Sequence, residues 1–264
     1  MTTRAARATE ILMQARTSRA RIPVLPPDAM PEDIEEAYAV QPAVRKAISA
    51  SGGGRQIGWK IGCTNETAQR QIGVHEPFFG GIFENTSRPS PATFSTDDFF
   101  MTVIEAEVGF LMGEDLPAAA APYDPGSVGD AVAAAFPAIE IVDSRFQDWT
   151  TIGPVQIIAD NGSHGAWVHG APVSDWQDID LAEMAVQLYA DGELVREGQG
   201  INVMDHPLNA LTWLANVRAV YARDGLKAGD RVSTGTTIVV YDAKKGQHLK
   251  ADFGALGSIE LTLE

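Results

Sequence analysis

The chain has 264 residues, 45% of them hydrophobic and 21% charged, which is enough apolar material for a sizeable core in one large domain or two small ones. Its 20 Lys and Arg stand against 35 Asp and Glu, and the resulting net charge of −15 argues against nucleic acid or an anionic membrane as partner. The single cysteine, Cys63, excludes an internal disulfide and a cysteine zinc cluster, and suits a reducing cytoplasm.

The first twenty residues place Ala5, Ala8, Ile11, Leu12 and Ala15 on one face and arginines on the other, which predicts an amphipathic helix. An organelle transit peptide has a similar composition, but no small-residue cleavage signal follows. No apolar run approaches the ~20 residues of a membrane-spanning helix. Pro23, Pro26, Pro27 and Pro31 make a stiff connector. Pro31 then suits the first turn of a helix running to about residue 48, with a kink or break expected at Pro42. Residues 51–54 read as a glycine hinge. They lack the spacing of a dinucleotide-binding loop, and no phosphate-binding Gly-Lys-Ser/Thr loop occurs.

From about residue 75 the pattern changes to short apolar runs bounded by Gly, Pro, Asn and Asp. Residues 101–112, 138–142, 155–159, 185–190, 232–241 and 258–263 read as strands. One helix interrupts them, over residues 207–223, and Asp191-Gly192 marks a hairpin turn. Helices first and strands afterwards give an α+β chain. The natural division is a helical region over residues 1–74 and a β-rich body over residues 75–264.

The chemistry points to a few residues. In Val103-Ile104-Glu105-Ala106-Glu107-Val108, a strand would aim both glutamates at one face, ~7 Å apart. Such a pair often faces water. Glu140, however, interrupts a second buried-looking strand, Ala138-Ile139-Glu140-Ile141-Val142. Three isolated glutamates on two apolar strands repel one another and lose hydration unless a cation lies between them. A hard divalent ion such as Mg²⁺ or Mn²⁺ fits that need. Lys60, in Gly58-Trp59-Lys60-Ile61-Gly62, either runs past Trp59 to solvent or enters a pocket. The five histidines lack metal-ligand spacing, no nucleophile elbow is present, and Cys63 is a weak candidate nucleophile.

At these segments the chain resembles the 2-keto-4-pentenoate hydratase and 4-oxalocrotonate decarboxylase family of the fumarylacetoacetate hydrolase superfamily. The resemblance covers Glu36-Ala37-Tyr38-Ala39-Val40-Gln41, the Lys60 segment and both glutamate strands through Asp143-Ser144-Arg145. It continues in Ala159-Asp160-Asn161, in His206-Pro207-Leu208-Asn209-Ala210-Leu211, and in Ala251-Asp252-Phe253-Gly254-Ala255-Leu256. It implies a β-rich roll with a small helical N-terminal region. It also implies Mg²⁺ or Mn²⁺ held by Glu105, Glu107 and Glu140, Lys60 in the pocket, Ser163 as a hydrogen-bonding partner, and a homo-oligomer. Relatives also assemble with partner enzymes of the same pathway.

The implied reaction is a lyase reaction: hydration of a 2-hydroxy-2,4-dienoate to a 4-hydroxy-2-oxo acid. Two departures from the family pattern bear on it. Phe78, in Pro77-Phe78-Phe79-Gly80, stands where family hydratases carry an acid, and His164 replaces a serine. The first keeps decarboxylation of a 2-oxo-enedioate open as the alternative. The second offers His164 as a substitute acid/base. An acylpyruvate hydrolase and a non-catalytic stabilising subunit are further alternatives. The hydrolase lacks a water-activating base, and the retained Glu105, Glu107, Glu140 and Lys60 speak against the subunit.

Overall fold

The computed structural model describes residues 3–264. Its helices are α1 (Thr3–Ser18), α2 (Ile34–Ile48), α3 (Glu66–Ile72), α4 (Pro125–Asp130), α5 (Pro154–Ala159) and α6 (Pro207–Tyr221). The strands are β1 (Gln56–Gly62), β2 (Phe78–Phe83), β3 (Ser87–Pro89), β4 (Ala92–Phe94), β5 (Val103–Met112), β6 (Val132–Val142) and β7 (His164–His169). They continue with β8 (Ala185–Ala190), β9 (Glu193–Gln199), β10 (Arg231–Thr236), β11 (Tyr241–Asp242), β12 (His248–Asp252) and β13 (Ser258–Leu263).

Two sheets form the body. The larger runs β2-β1-β10-β5-β6-β7-β3, with β11 also on β5, and the smaller runs β4-β13-β12-β8-β9. The long strands β5 and β6 are buried along nearly their whole length, which explains their unbroken apolar text. β1 lies inside the large sheet, antiparallel to β2 and parallel to β10. Lys60 is therefore carried by the sheet itself.

The helices wrap this body. α1 buries Ala5, Ala8 and Leu12 in a cluster with Val40 and Val44 of α2 and Ala159 of α5, and Ala15 is buried as well. α6 starts at Pro207, with His206 Nδ1 accepting from the Leu208 N–H at 3.0 Å. The β8–β9 hairpin turns at Asp191-Gly192, with φ of 52° and 85°, the doubly positive pair of a type I′ turn.

Four local expectations are corrected. Residues 154–159 form α5 and not a strand: Pro154 occupies the first helical turn, and a short apolar run does not distinguish buried helix from buried strand. α2 begins at Ile34, where Asp33 accepts from the Glu36 N–H at 2.8 Å, so Pro31 lies outside it. The helix also passes through Pro42 without a break. The missing donor costs about 3 kcal/mol, and burial of Ala37, Tyr38, Val40, Gln41 and Val44 on this helix offsets it. Finally, residues 232–241 are two strands, because β10 ends at Thr236 and, apart from an isolated bridge of Ile238 to Gly198, pairing resumes at Tyr241.

Candidate metal centre and its cavity

β5 and β6 pair antiparallel with Glu105 directly opposite Glu140. Glu107, two residues on, shares the face of Glu105. One carboxylate oxygen from each of the three lies within 4.8 Å of the others. Glu107 and Glu140 are fully buried and Glu105 is partly buried. Like charges facing each other across a ladder are destabilising, so the arrangement calls for a counter-charge.

Part of it comes from Lys60, which is 2% exposed. Lys60 pairs in register with Ser233 of β10, which in turn pairs with β5. Its Nζ lies 3.4 Å from Glu140 Oε1. His164, at the start of β7, brings Nδ1 to 2.9 Å from the same oxygen. On the other side, Ser233 Oγ donates to Glu107 Oε2 and accepts from Trp167 Nε1 at 2.9 Å. These contacts use one oxygen of each buried glutamate. Glu107 Oε1 and Glu140 Oε2 remain buried without a hydrogen-bond partner, which is costly for a carboxylate unless a cation takes them.

The electrostatics agree. Burial, reinforced by Glu140, pushes the Glu105 carboxyl up to about 7. Burial together with Glu140 and Glu105 pushes Glu107 well above the usual carboxylate range. Glu140 resists burial and sits below that range, because Lys60 and His164 hold its charge. For Lys60 burial pulls downward, yet Glu140, Glu105 and Glu107 together raise it, so it stays an ammonium. Without a cation, Glu105 and Glu107 hold protons more readily than free carboxylates do. An all-carboxylate donor set with two open buried oxygens fits a hard divalent ion, and Mg²⁺ or Mn²⁺ matches those donors.

A strained turn supplies Ser163. Asn161, Gly162 and Ser163 have φ of 57°, 64° and 58°, three left-handed residues in a row. The turn is locked against β2: the Gly81 N–H donates to Asn161 Oδ1 at 2.7 Å, and Asn161 Nδ2 donates back to the Gly81 carbonyl at 2.9 Å. Gly80 permits this approach, since a Cβ there would stand 2.3 Å from the Asn161 carbonyl oxygen. Ser163 Oγ is left buried and without a partner.

A cavity of about 370 Å³ opens onto Glu105, Lys60 and Ser163. Glu107 and Glu140 lie behind Glu105. His164 touches the centre through Glu140 but is not on this wall. It borders a second hollow, of about 390 Å³, shared with Arg16 and Arg145. Cys63 lines the cavity, but burial pushes its thiol up to about 12, which removes the thiolate a nucleophile needs. Ser233 and Trp167 escaped the sequence reading. Nothing in Arg231-Val232-Ser233-Thr234 marks one serine as a carboxylate partner, because the β10–β5 register is a long-range fact.

Residues 79–264 match the family described as fumarylacetoacetate (FAA) hydrolase C-terminal. The 2-keto-4-pentenoate hydratase of Paraburkholderia phymatum is 35% identical over 94% of this chain and 93% of its own. The crystal structure of 4-oxalocrotonate decarboxylase from Pseudomonas putida G7, complexed with magnesium and adipate, superposes with a TM-score of 0.90. It is 26% identical and covers 99% of this chain and 97% of its own. A second structure of that decarboxylase holds calcium and acetate and matches with a TM-score of 0.89, 26% identity, and coverage of 100% and 99%.

Proposed function

The chain belongs to the fumarylacetoacetate hydrolase family, and on that premise we propose that it is a metal-dependent lyase that adds water to a 2-hydroxy-2,4-dienoate to give a 4-hydroxy-2-oxo acid. The observation that carries the reading is the pair of unpartnered buried oxygens on Glu107 and Glu140, set behind Glu105 at one end of the cavity that also holds Lys60. Glu105, Glu107 and Glu140 would hold Mg²⁺ or Mn²⁺. When bound, the ion supplies a Lewis acid for the substrate's carboxylate and C2 oxygen.

The remaining work falls to the chain's own side chains. Lys60, kept protonated by the glutamates, places an ammonium beside the oxygen on which enolate charge develops. Ser163 Oγ, free of internal partners, donates to a substrate oxygen. The locked turn of residues 161–163 fixes that hydroxyl before substrate arrives. His164 acts on Glu140, orienting the carboxylate that Lys60 also holds. The proton lost from the C2 hydroxyl is balanced by one gained at the far carbon C5, and water then adds its hydroxyl at C4 and its proton at C3.

Phe78 bears on the second reading, decarboxylation of a 2-oxo-enedioate, in two opposed ways: it leaves the cavity without an acid at the position where family hydratases carry one, and it makes the wall that a distal carboxylate would meet apolar. Family membership supports a homo-oligomeric assembly, and the free cysteine supports a cytoplasmic setting. The test is turnover of a 2-hydroxydienoate by purified Mg²⁺-loaded protein with mass analysis of the product. Gain of one water supports the hydratase, and loss of CO₂ from an enedioate supports the alternative.

A further inference from the structure

Beyond Glu105, Lys60 and Ser163, the cavity wall is mostly apolar and uncharged, with Ile72, Phe78, Trp149, Ile157 and Val240 prominent among neutral amides and hydroxyls. Among the described residues Lys60 is the one cation on that wall, and Glu140 already engages it at 3.4 Å. Of the three amides on the wall, Gln71 is exposed and the other two make backbone bonds. Asn65 Oδ1 accepts from the Ala68 N–H at 2.9 Å, and Asn202 Nδ2 donates to the Thr237 carbonyl at 2.8 Å.

Phe78 is built into this wall with care for space. Its ring centroid lies 5.4 Å from Lys60 Nζ, and a Cβ on Gly62 would stand 2.6 Å from a ring carbon. At the mouth the chain presents aliphatic side chains in place of charges: Val239 is 72% exposed and Val240 37%. A carboxylate pushed along this wall would shed water, meet no free cation and feel three glutamates at the other end.

From this wall we infer that the substrate's tail is an uncharged alkyl or aryl group, and that the cavity discriminates against a substrate with a second, distal carboxylate. The inference rests on the reading of the cavity as a 2-oxo acid site. It sharpens that reading by naming the tail, and it assigns Phe78, Trp149, Ile157 and Val240 as the residues that select it.

The test needs no turnover. Calorimetry on Mg²⁺-loaded protein compares 2-oxohexanoate with 2-oxohexanedioate, which share the chelating end and chain length and differ only at the far carbon. 2-Oxohexanoate is expected to bind on the order of 10²-fold more tightly. Equal or tighter binding of the dioate overturns the inference and leaves the 2-oxo acid site standing. Binding of neither overturns that site and the inference together. A second arm uses Val239→Arg, a largely exposed position at the mouth that is not among the residues assigned to the tail, to supply the missing cation there. It should improve dioate affinity roughly tenfold and leave 2-oxohexanoate unchanged. No gain for the dioate would overturn the placement of the tail along this wall.

Discussion

Two buried clusters of charge lie close together in this molecule and are built differently. In the first, Arg145 Nε meets Asp160 Oδ2 at 2.7 Å and its Nη1 meets Asp143 Oδ2 at 3.3 Å, while Arg16 Nη2 meets Asp160 Oδ1 at 2.7 Å. Two acids face two arginines, and the set ties α1 to the turn that carries Ser163. In the second, three glutamates face Lys60, and two buried oxygens have no hydrogen-bond partner. The first cluster is balanced in charge and holds structure: Asp160 Oδ1, though without a hydrogen bond, faces Arg16 Nη2 at 2.7 Å. The second is short of positive charge, and that deficit marks where a cation belongs.

Substitutions in the two clusters should therefore have opposite consequences for the metal-free protein. The largest effect is expected for Glu107→Gln, which keeps the size of the side chain and removes its charge. Turnover should fall by at least about 10²-fold, while the metal-free melting temperature holds or rises, because one of three repelling acids is gone. A clear drop in that temperature with activity intact would make Glu107 a member of a structural ion pair.

Arg145→Met attacks the balanced cluster and strands Asp143 and Asp160 beside Arg16 alone. Urea unfolding should show a loss of about 3–5 kcal/mol, the range for removing one partner of a buried pair. An unchanged midpoint would contradict the contrast just drawn.

His164 lies between the clusters, bonded to Glu140 on one side and bordering the Arg16–Arg145 hollow on the other. His164→Ser should weaken Mn²⁺ affinity by roughly 10- to 100-fold, as loss of an orienting partner does, with a smaller effect on stability. Unaltered Mn²⁺ affinity would remove His164 from the centre.

The smallest effect is a pH slope. Glu105 has its carboxyl raised to about 7, so the folded protein holds a proton that the unfolded chain releases. That contribution is fully present below the ordinary carboxylate range and is lost as pH rises through about 7. Glu140, held low, works in the opposite direction but only in acid, and Lys60, held high, only in alkali. The metal-free melting temperature should therefore fall from about pH 5 to pH 8, and saturating Mg²⁺ should flatten the slope. A rising curve would show that the acids are already charged and paired.

Much of this was legible in the sequence, for identifiable reasons. Glu105, Glu107 and Glu140 stand out because each interrupts an apolar strand, and strand periodicity alone puts the first two on one face. Long buried strands, the α6 helix and the Asp191-Gly192 turn carry strong local signals. What stayed hidden depends on register and on loops. Ser233 reaches Glu107 only because β10 lies beside β5, and Trp167 of β7 bonds that serine in turn. α5 was read as a strand because six residues are too few to show a period. His164 was expected as an acid/base group, and only the course of β7 reveals that its ring meets Glu140 and leaves the cavity wall to Ser163.

The central claim is that the unbalanced cluster is a divalent metal centre, and direct titration tests it. Mn²⁺ added to metal-free protein, followed by the loss of its free-ion magnetic resonance signal, should show saturable binding of a single ion per chain. Mg²⁺ should compete for it, and binding should release protons from Glu105 and Glu107. Glu107→Gln should abolish or greatly weaken that binding while the protein stays folded. Absence of saturable binding in the natural protein, or equal binding by the variant, would contradict the account.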